Sequence, residues 1–324
     1  MMKFHQTTGR TTKMKKITRI LTAAFATVAL AACQQEMQDN PGDNNLALNQ
    51  FGASAEVATK VTISSDWKLS WEAGDQTDVF DGSEKLVFSA KSAGASTILD
   101  PENKDFKREL DKTYYAAYPA AETNSIDGAT ITLNVAGDRT AVAGEYPAAP
   151  AVASTTGAQA NFAFMNVCGL VSFEVAEGQN IASIVIFGGN GENVAGTVKV
   201  NALTAEYEVV KGEKEITLTP SEGTTFAAGR YYVAVLPQEF TAGLSVSLYA
   251  ADGTRLRKNL NAFTLGRSSH LDVETGGTFK TEFTIKNADE LVAFLALADK
   301  CSASTKATLA NNIDLAGVTL KPAS

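Results

Sequence analysis

The feature that most restricts the fold of this chain is an alternation of apolar and polar residues that starts near residue 59. The apolar residues of the first stretch all fall at odd positions: Val61, Ile63, Trp67, Leu69 and Trp71. A period of two is that of a strand with one buried and one solvated face. Similar short stretches recur to residue 250, and they predict strands at Lys85–Ala90 and Thr113–Tyr118 among others. No stretch between residues 59 and 275 has the period of an amphipathic helix. The pattern predicts an all-β fold of sandwiches or barrels.

Composition along the chain predicts the domain boundaries. Residues 33–58 are polar and rich in turn formers, which is typical of a flexible tether. Residues 136–160 are rich in Ala, Gly, Pro and Thr, and two prolines there would interrupt a central strand. We therefore place a junction in this segment, which predicts one β-sandwich over 59–150 and a second over 151–276.

The tail, residues 277–324, has a different pattern. A strand is expected at Thr278–Ile285, and Asn287 with Glu290 forms a capping-box sequence. The apolar residues that follow are spaced as on one face of a short helix: Leu291, Phe294, Leu295 and Ala298.

The N-terminus reads as a bacterial lipoprotein leader. A positively charged region formed by Lys13, Lys15, Lys16 and Arg19 precedes an apolar run, Ile20–Ala32. This run is 13 residues long, too short for the roughly 20 residues that a spanning helix needs. The run ends in Leu30-Ala31-Ala32-Cys33. This predicts a signal peptide over 1–32 and lipidation of Cys33, against the alternative of an N-terminal helix with a chance cysteine.

Charge and residue usage exclude several function classes. Removing the 32 leader residues from 324 leaves 292, with 22 basic and 36 acidic side chains and a net charge of −14. That balance argues against nucleic acid as a partner. Only Cys168 and Cys301 remain after Cys33, so no disulfide framework or metal box is expected. Buried packing is the expected role of Cys168.

Catalytic and metal sites find little support. The one histidine outside the leader is His270, and no Gly-x-Ser-x-Gly sequence accompanies it, so a surface position near a strand is expected for it. We predict no enzyme, no cofactor and no catalytic residue. Four acids spaced by three, Glu72, Asp75, Asp78 and Asp81, are weak calcium candidates, and solvated turn residues are the alternative.

Several motifs, in order, resemble the fimbrillin-like (Mfa-like) family of Bacteroidota lipoproteins over residues 55–275. They are Thr59-Lys60, Trp71-Glu72-Ala73-Gly74-Asp75, Val79-Phe80, Tyr114-Tyr115-Ala116-Ala117-Tyr118-Pro119, Cys168-Gly169-Leu170-Val171-Ser172-Phe173, Ala195-Gly196 and Tyr231-Tyr232-Val233-Ala234-Val235-Leu236-Pro237. The resemblance implies two tandem transthyretin-like antiparallel β-sandwich domains, lipid-anchored in the cell outer membrane and exposed at the surface. It also implies a fimbrial stalk, tip or anchor subunit. Stalk subunits of the family lose their first strand to a protease, usually after arginine, and accept a donor strand instead.

The sequence departs from that pattern at the cleavage site. No arginine lies between Cys33 and Arg108, and Lys60 and Lys68 are the only basic residues between Cys33 and Trp71. An uncleaved anchor, tip or adhesion subunit is therefore expected, and proteolytic maturation at Lys60 is the competing case.

The tail resembles the start of a right-handed parallel β-helix, in which a helix caps the first coil. The resemblance rests on Phe283-Thr284-Ile285, Ala288-Asp289-Glu290-Leu291-Val292-Ala293-Phe294 and Asn311-Asn312-Ile313-Asp314-Leu315. Because one coil cannot bury a core alone, it implies a chain truncated from a longer protein. The alternative is an extension packed on the second sandwich.

Two functions are left by this reasoning. The first is a non-catalytic surface lipoprotein of fimbrillin type, which acts by display and β-strand-mediated assembly with other fimbrial subunits. The alternative is a glycan-binding or glycan-processing surface lipoprotein whose active module lies in a missing C-terminal β-helix. Aromatic residues for contact with host or bacterial surface glycans are Trp67, Trp71, Tyr114, Tyr115, Tyr231 and Tyr232, although strand positions favour core packing for most of them.

Overall fold

The computed structural model describes residues 46–56, 70–82, 84–273, 279–296 and 305–317. The chain divides into two compact units, Met1–Gly42 and Asp43–Ser324, and all the described residues belong to the second. The signal peptide, Cys33, Lys60, Trp67 and Cys301 lie outside the described residues.

The described part of the chain is all-β apart from one helix. Its first strands are β1 (Phe51–Ser54), β2 (Gln76–Asp81), β3 (Glu84–Ala90), β4 (Ser96–Pro101), β5 (Thr113–Tyr118), β6 (Ser125–Asp127), β7 (Thr130–Val135), β8 (Asp138–Ala141), β9 (Ala151–Thr156), β10 (Asn161–Ala163), β11 (Met165–Asn166) and β12 (Gly169–Val175). The later elements are β13 (Ile181–Gly188), β14 (Ala195–Asn201), β15 (Tyr207–Glu213), β16 (Glu215–Pro220), β17 (Gly229–Val235), β18 (Glu239–Phe240), β19 (Leu244–Ala250), β20 (Thr254–Asn259), β21 (Phe263–Thr264), β22 (His270–Asp272), β23 (Lys280–Ile285), α1 (Ala288–Ala296) and β24 (Lys306–Leu309).

An eight-stranded sheet holds the N-terminal strands in the order β10-β1-β4-β3-β2-β5-β9-β11. Its two outer strands, β10 and β11, are neighbours in the chain, separated only by Phe164. Strand β10 pairs parallel to β1, and β11 pairs antiparallel to β9. One short segment therefore joins both edges, and the sheet curls round on itself.

The concave side of this sheet buries an aromatic core, which we call the first core. Phe51 of β1 is fully buried at its centre. Its ring lies 4.9 Å from that of Phe162, 5.1 Å from Tyr114 and 5.6 Å from Phe88. Burying a side chain of this size contributes roughly 1.5–3 kcal/mol.

The other sheets surround a second core. They are a seven-stranded sheet (β24-β23-β20-β19-β13-β16-β8), a four-stranded sheet (β15-β14-β7-β6), a three-stranded sheet (β17-β12-β22) and the pair β18-β21. Phe173, Ile184 and Leu248 are fully buried in this core. Phe80 and Val152 join it from the other side of the eight-stranded sheet, so that sheet contributes to both cores.

The expected tether contains a strand, and the interpretation of residues 33–58 as wholly flexible is wrong at Phe51–Ser54. Phe51 and Ala53 are buried, and β1 has a hydrogen-bonded neighbour on each edge. Two alternating apolar residues are too few to be recognised as a strand in a sequence window. Tertiary contacts hold this strand in place, because Phe51 packs among the aromatic residues of the first core.

Strand pairing crosses residue 150, where the sequence analysis placed the domain junction. Strands β6–β8, which precede this position, pair with the sheets of the second core. Strands β9–β11, which follow it, return to the eight-stranded sheet. Alternation identifies a strand and its buried face, but it carries no information about which strand lies alongside.

The tail continues the seven-stranded sheet. Strand β23 pairs antiparallel to β20 and parallel to β24, with α1 connecting β23 to β24. The helix begins after Asn287, whose Oδ1 accepts a 2.9 Å hydrogen bond from the amide of Glu290. The tail thus packs as an extension on the second set of sheets, and the resemblance to a β-helix cap stays a prediction. Within the described ranges no helix has the length and apolar character needed to cross a membrane.

Candidate functional site

Strand β1 occupies a slot in the eight-stranded sheet. It pairs antiparallel to β4, from Phe51 opposite Leu99 to Ser54 opposite Ser96, and parallel to β10 on its other edge. Both rows of main-chain hydrogen-bonding groups are therefore satisfied. Because β1 precedes Lys60 in the chain, it is the element that a cut at Lys60 would separate from the rest.

Arg108 holds the segment that enters β1. Its guanidinium donates hydrogen bonds to the carbonyl oxygens of Ala47 (2.5 Å), Gln50 (2.7 Å) and Gly157 (2.8 Å). Its own amide donates to the carbonyl of Leu48 at 2.9 Å. A planar donor with five N–H groups is suited to gather several carbonyls in this way. Burial lowers the pKa of Arg108.

Glu56 holds the segment that leaves β1. Its Oε2 accepts hydrogen bonds from the amide of Asn166 (2.8 Å), the hydroxyl of Ser268 (2.8 Å) and the guanidinium of Arg267. Ser268 and Arg267 lie more than 200 residues further along the chain. Charge-assisted bonds of this kind are stronger than neutral ones, so β1 is fixed at both ends.

The structure does not bring the calcium candidates together. Asp75 accepts hydrogen bonds from the amide of Glu72 (2.9 Å) and the hydroxyl of Tyr118 (3.4 Å), and Asp81 forms an ion pair with Lys112. Asp78 points elsewhere, into the protein. Among the described residues no group of three or more His, Cys, Asp or Glu side chains is arranged to hold a metal ion.

Asp78 instead anchors the loop that follows β5. Its side chain is 1% exposed, and its Oδ2 accepts hydrogen bonds from the amide of Ala121 (3.0 Å) and the side-chain amide of Asn124 (2.8 Å). Burial raises the pKa of this carboxyl, although the two hydrogen bonds and nearby Lys85 oppose the shift. Lys85 binds the same loop through the carbonyl oxygens of Ala121, Glu122 and Asn124.

His270 is half-buried rather than at the surface, and it meets a serine that the sequence did not single out. Its Nε2 lies 2.9 Å from Oγ of Ser172. Burial lowers the pKa of His270, which favours the neutral ring as acceptor of the Ser172 hydroxyl proton. Arg230 donates both to Ser172 Oγ (3.2 Å) and to Asp272 Oδ2 (2.5 Å).

The distance between Ser172 and His270 is the one that a catalytic serine–histidine pair requires, but Ser172 is not accessible as a catalytic serine must be. Ser172 is 0% exposed and already accepts a hydrogen bond from Arg230. A nucleophile must reach its substrate, and this hydroxyl is enclosed. The cluster joins β12, β17 and β22, which is a structural role. Only the fold brings Ser172 and His270 together, since 98 residues separate them.

Cys168 is buried, as the sequence predicted. Its side chain belongs to the second core, and burial raises the pKa of its thiol to about 12. The thiol is therefore protonated at neutral pH and serves as a small apolar group.

Most of the candidate aromatic residues are core residues. Trp71 is 5% exposed, and Tyr114 and Tyr231 are fully buried with their hydroxyls hydrogen-bonded to main-chain groups. Tyr115 and Tyr232 are half-buried. The expectation that strand positions favour core packing is confirmed for Trp71, Tyr114 and Tyr231.

An open cleft of about 480 Å³ adjoins Trp71, and no pattern in the sequence predicted it. Trp71, Tyr118 and Phe164 line it, together with Glu72, Asp75 and the segment 144–149, which includes Glu145 and Tyr146. We call the segment 144–149 the wall of the cleft and Trp71, Tyr118 and Phe164 its floor. The wall comes from the Ala- and Pro-rich segment interpreted as a junction, whose residues have no strand or helix period that would place them.

The comparisons with known proteins are distant. No protein-family model and no curated protein matches the chain. A solved structure of a candidate cell adhesion protein from Bacteroides ovatus aligns with a TM-score of 0.44 and 13% identity over 72% of this chain and 94% of that chain. One from Bacteroides uniformis aligns with a TM-score of 0.42 and 18% identity over 72% of this chain and 99% of that chain. The tip fimbrial protein Mfa3 from Porphyromonas gingivalis aligns with a TM-score of 0.30 and 9% identity over 68% of this chain and 92% of that chain. At these scores the likeness carries no argument, and the chain's function is argued from its own residues.

Proposed function

We propose that this chain is a non-catalytic surface lipoprotein of adhesion type that occupies one end of a strand-linked assembly, as a fimbrial anchor or tip subunit. The observation that carries the proposal is the filled slot of β1, which lies hydrogen-bonded between β4 and β10 with Phe51 in the first core. A subunit whose slot is filled by its own strand has no room for the strand of a neighbour. As long as this strand is not cut away, the subunit cannot accept a donor strand, and it ends a chain of subunits rather than continuing it.

The absence of arginine between Cys33 and Arg108 supports the same conclusion. An arginine-directed protease has no site from which to release β1, so the strand stays joined to the body and to Cys33. Lys60, which lies outside the described residues, is the position at which a lysine-tolerant protease would convert the subunit into an acceptor.

A cut made at a chosen place tests the filled slot. A protease recognition sequence inserted after Lys60 allows cleavage, and a labelled peptide of residues 46–56 is then added during mild unfolding and refolding. The cut protein is expected to take up the peptide, since the slot offers two rows of main-chain groups and a pocket for Phe51. The intact protein is expected to take up none.

The matched control is the same peptide with Phe51→Ser, which keeps the main chain and loses the side chain that fills the core. Equal uptake of both peptides would contradict a specific slot. So would uptake by the intact protein, or refolding of the cut protein with an empty slot and no peptide bound.

Anchoring is tested separately at the N-terminus. Cys33→Ala removes the thiol that would carry the lipid, so the protein is expected to move from the membrane fraction to the soluble fraction of the cell envelope. Radiolabelled palmitate incorporation and membrane fractionation measure the change, with Cys168→Ala as the matched control because that thiol is buried. Membrane retention of Cys33→Ala would contradict the lipoprotein interpretation.

A further inference from the structure

We propose that the cleft beside Trp71 binds an uncharged carbohydrate, with one sugar ring lying against the aromatic wall. The cleft holds about 480 Å³, within the range of small-molecule sites, and is open on one side. Open access suits one residue of a longer glycan chain. The proposal supplies a ligand class for the adhesive role, but its test does not depend on strand exchange.

The aromatic ring in the cleft wall, that of Tyr146, is exposed. Tyr146 is 47% exposed, and its ring stacks on that of Tyr232 with a centroid distance of 4.6 Å and an angle of 22°. On the cleft floor Tyr118 packs edge-on against Trp71 at 5.4 Å. Aromatic rings combine a large apolar face with a polar tip, and a sugar ring offers C–H groups that pack on such a face.

The acidic groups of the cleft favour a ligand that donates hydrogen bonds. Glu72, Asp75 and Glu145 present carboxylates, which accept hydrogen bonds when ionised. The hydroxyl groups of a sugar ring can donate to them.

Charge selects among carbohydrates. Among the described residues that line the cleft, three carry carboxylates and none is Lys, Arg or His. A sugar acid would place its own carboxylate among these groups and be repelled. Lysine or arginine side chains of a peptide would also suit the carboxylates, so an oligolysine peptide is the competing ligand in the test. The exposed ring of Tyr146 beside these acceptors favours an uncharged sugar, which offers both C–H groups and hydroxyl donors.

Binding is tested on the folded lipid-free protein, with mannotriose, chitotriose and lactose as uncharged probes and trigalacturonate as the anionic one. Saturation-transfer difference NMR and calorimetric titration are the readouts. Saturable binding of at least one uncharged probe is expected, with no binding of trigalacturonate. Tyr146→Ala should weaken binding by roughly tenfold or more, whereas Tyr146→Phe, which retains the ring, should bind within about twofold of the parent protein.

Glu145→Gln supplies a second test because it keeps an acceptor and removes the charge. It is expected to retain the uncharged probe and to reduce the exclusion of trigalacturonate. Glu222→Gln makes the same change at an exposed residue outside the cleft and should alter neither. Unchanged melting temperatures establish that each variant is folded.

Three results would overturn the proposal: no saturable binding of any uncharged probe, equal binding by Tyr146→Ala and the parent protein, or binding of an oligolysine peptide in place of sugar. None of them bears on peptide uptake at the β1 slot, so the two proposals fail separately.

Discussion

Replacing Phe51 by alanine is expected to lower the free energy of unfolding by about 3–5 kcal/mol, which is the usual cost of truncating a buried phenylalanine. Phe51 is 0% exposed, and four aromatic rings lie within 6.1 Å of its centroid. Alanine would leave a cavity at this position. The surrounding planar rings cannot change shape to fill it, and β1 cannot shift because it is hydrogen-bonded on both edges.

Chemical denaturation followed by tryptophan fluorescence measures this change, with Leu48→Ala as the matched control. Leu48 lies three residues earlier, is 52% exposed, and is expected to change stability by less than about 0.5 kcal/mol. Equal and small effects of the two substitutions would mean that the segment before Lys60 is the flexible tether after all.

The second large effect is expected at Asp78. Asp78→Ala should destabilise the protein by about 2–4 kcal/mol, because it leaves two buried donors, the amide of Ala121 and the side-chain amide of Asn124, without an acceptor. Asp78→Asn should cost less than about 1 kcal/mol, because both donors bind the same oxygen, Oδ2, and an amide oxygen can accept both.

The difference in unfolding free energy between the parent protein and Asp78→Asn should change with pH in a definite direction. Burial raises the pKa of Asp78 above its ordinary value of 3.8, so the folded state binds a proton more readily than the unfolded state does. The carboxyl's contribution to stability therefore rises as the pH falls from neutral through the folded-state pKa towards 3.8. Asparagine has no such group.

The stability of Asp78→Asn relative to the parent should accordingly be most favourable at neutral pH and decline as the pH falls. Denaturation curves at several pH values measure the difference. If the asparagine variant were as unstable as the alanine variant, or if its stability relative to the parent rose towards acid pH, the buried carboxylate would be stabilising the fold by its charge.

The sequence pattern predicted the parts of this structure that depend on one strand at a time. The expected strands Lys85–Ala90 and Thr113–Tyr118 coincide with β3 and β5 to within one residue. This worked because pleating places alternate side chains on opposite faces, and burial of one face then appears directly in the residue order.

Features that depend on two distant segments were not predictable in this way. The slot of β1 is made by β4 and β10, and Ser172 meets His270 only because β12 and β22 pair in parallel. No local pattern reports either pairing. The cleft beside Trp71 was missed for a related reason, since a segment without secondary-structure period gives no sign of what it faces.

The strand exchange around residue 150 has a mechanical consequence. The chain passes between the eight-stranded sheet and the sheets of the second core three times, after β5, after β8 and after β11. A pull that separates the two regions would be shared among three parallel connections instead of stretching one linker. Each connection is tied to hydrogen-bonded strands at both ends, so lengthening the molecule requires a ladder to rupture. We therefore expect the two regions to bear a pulling force together, without separating at a single flexible linker.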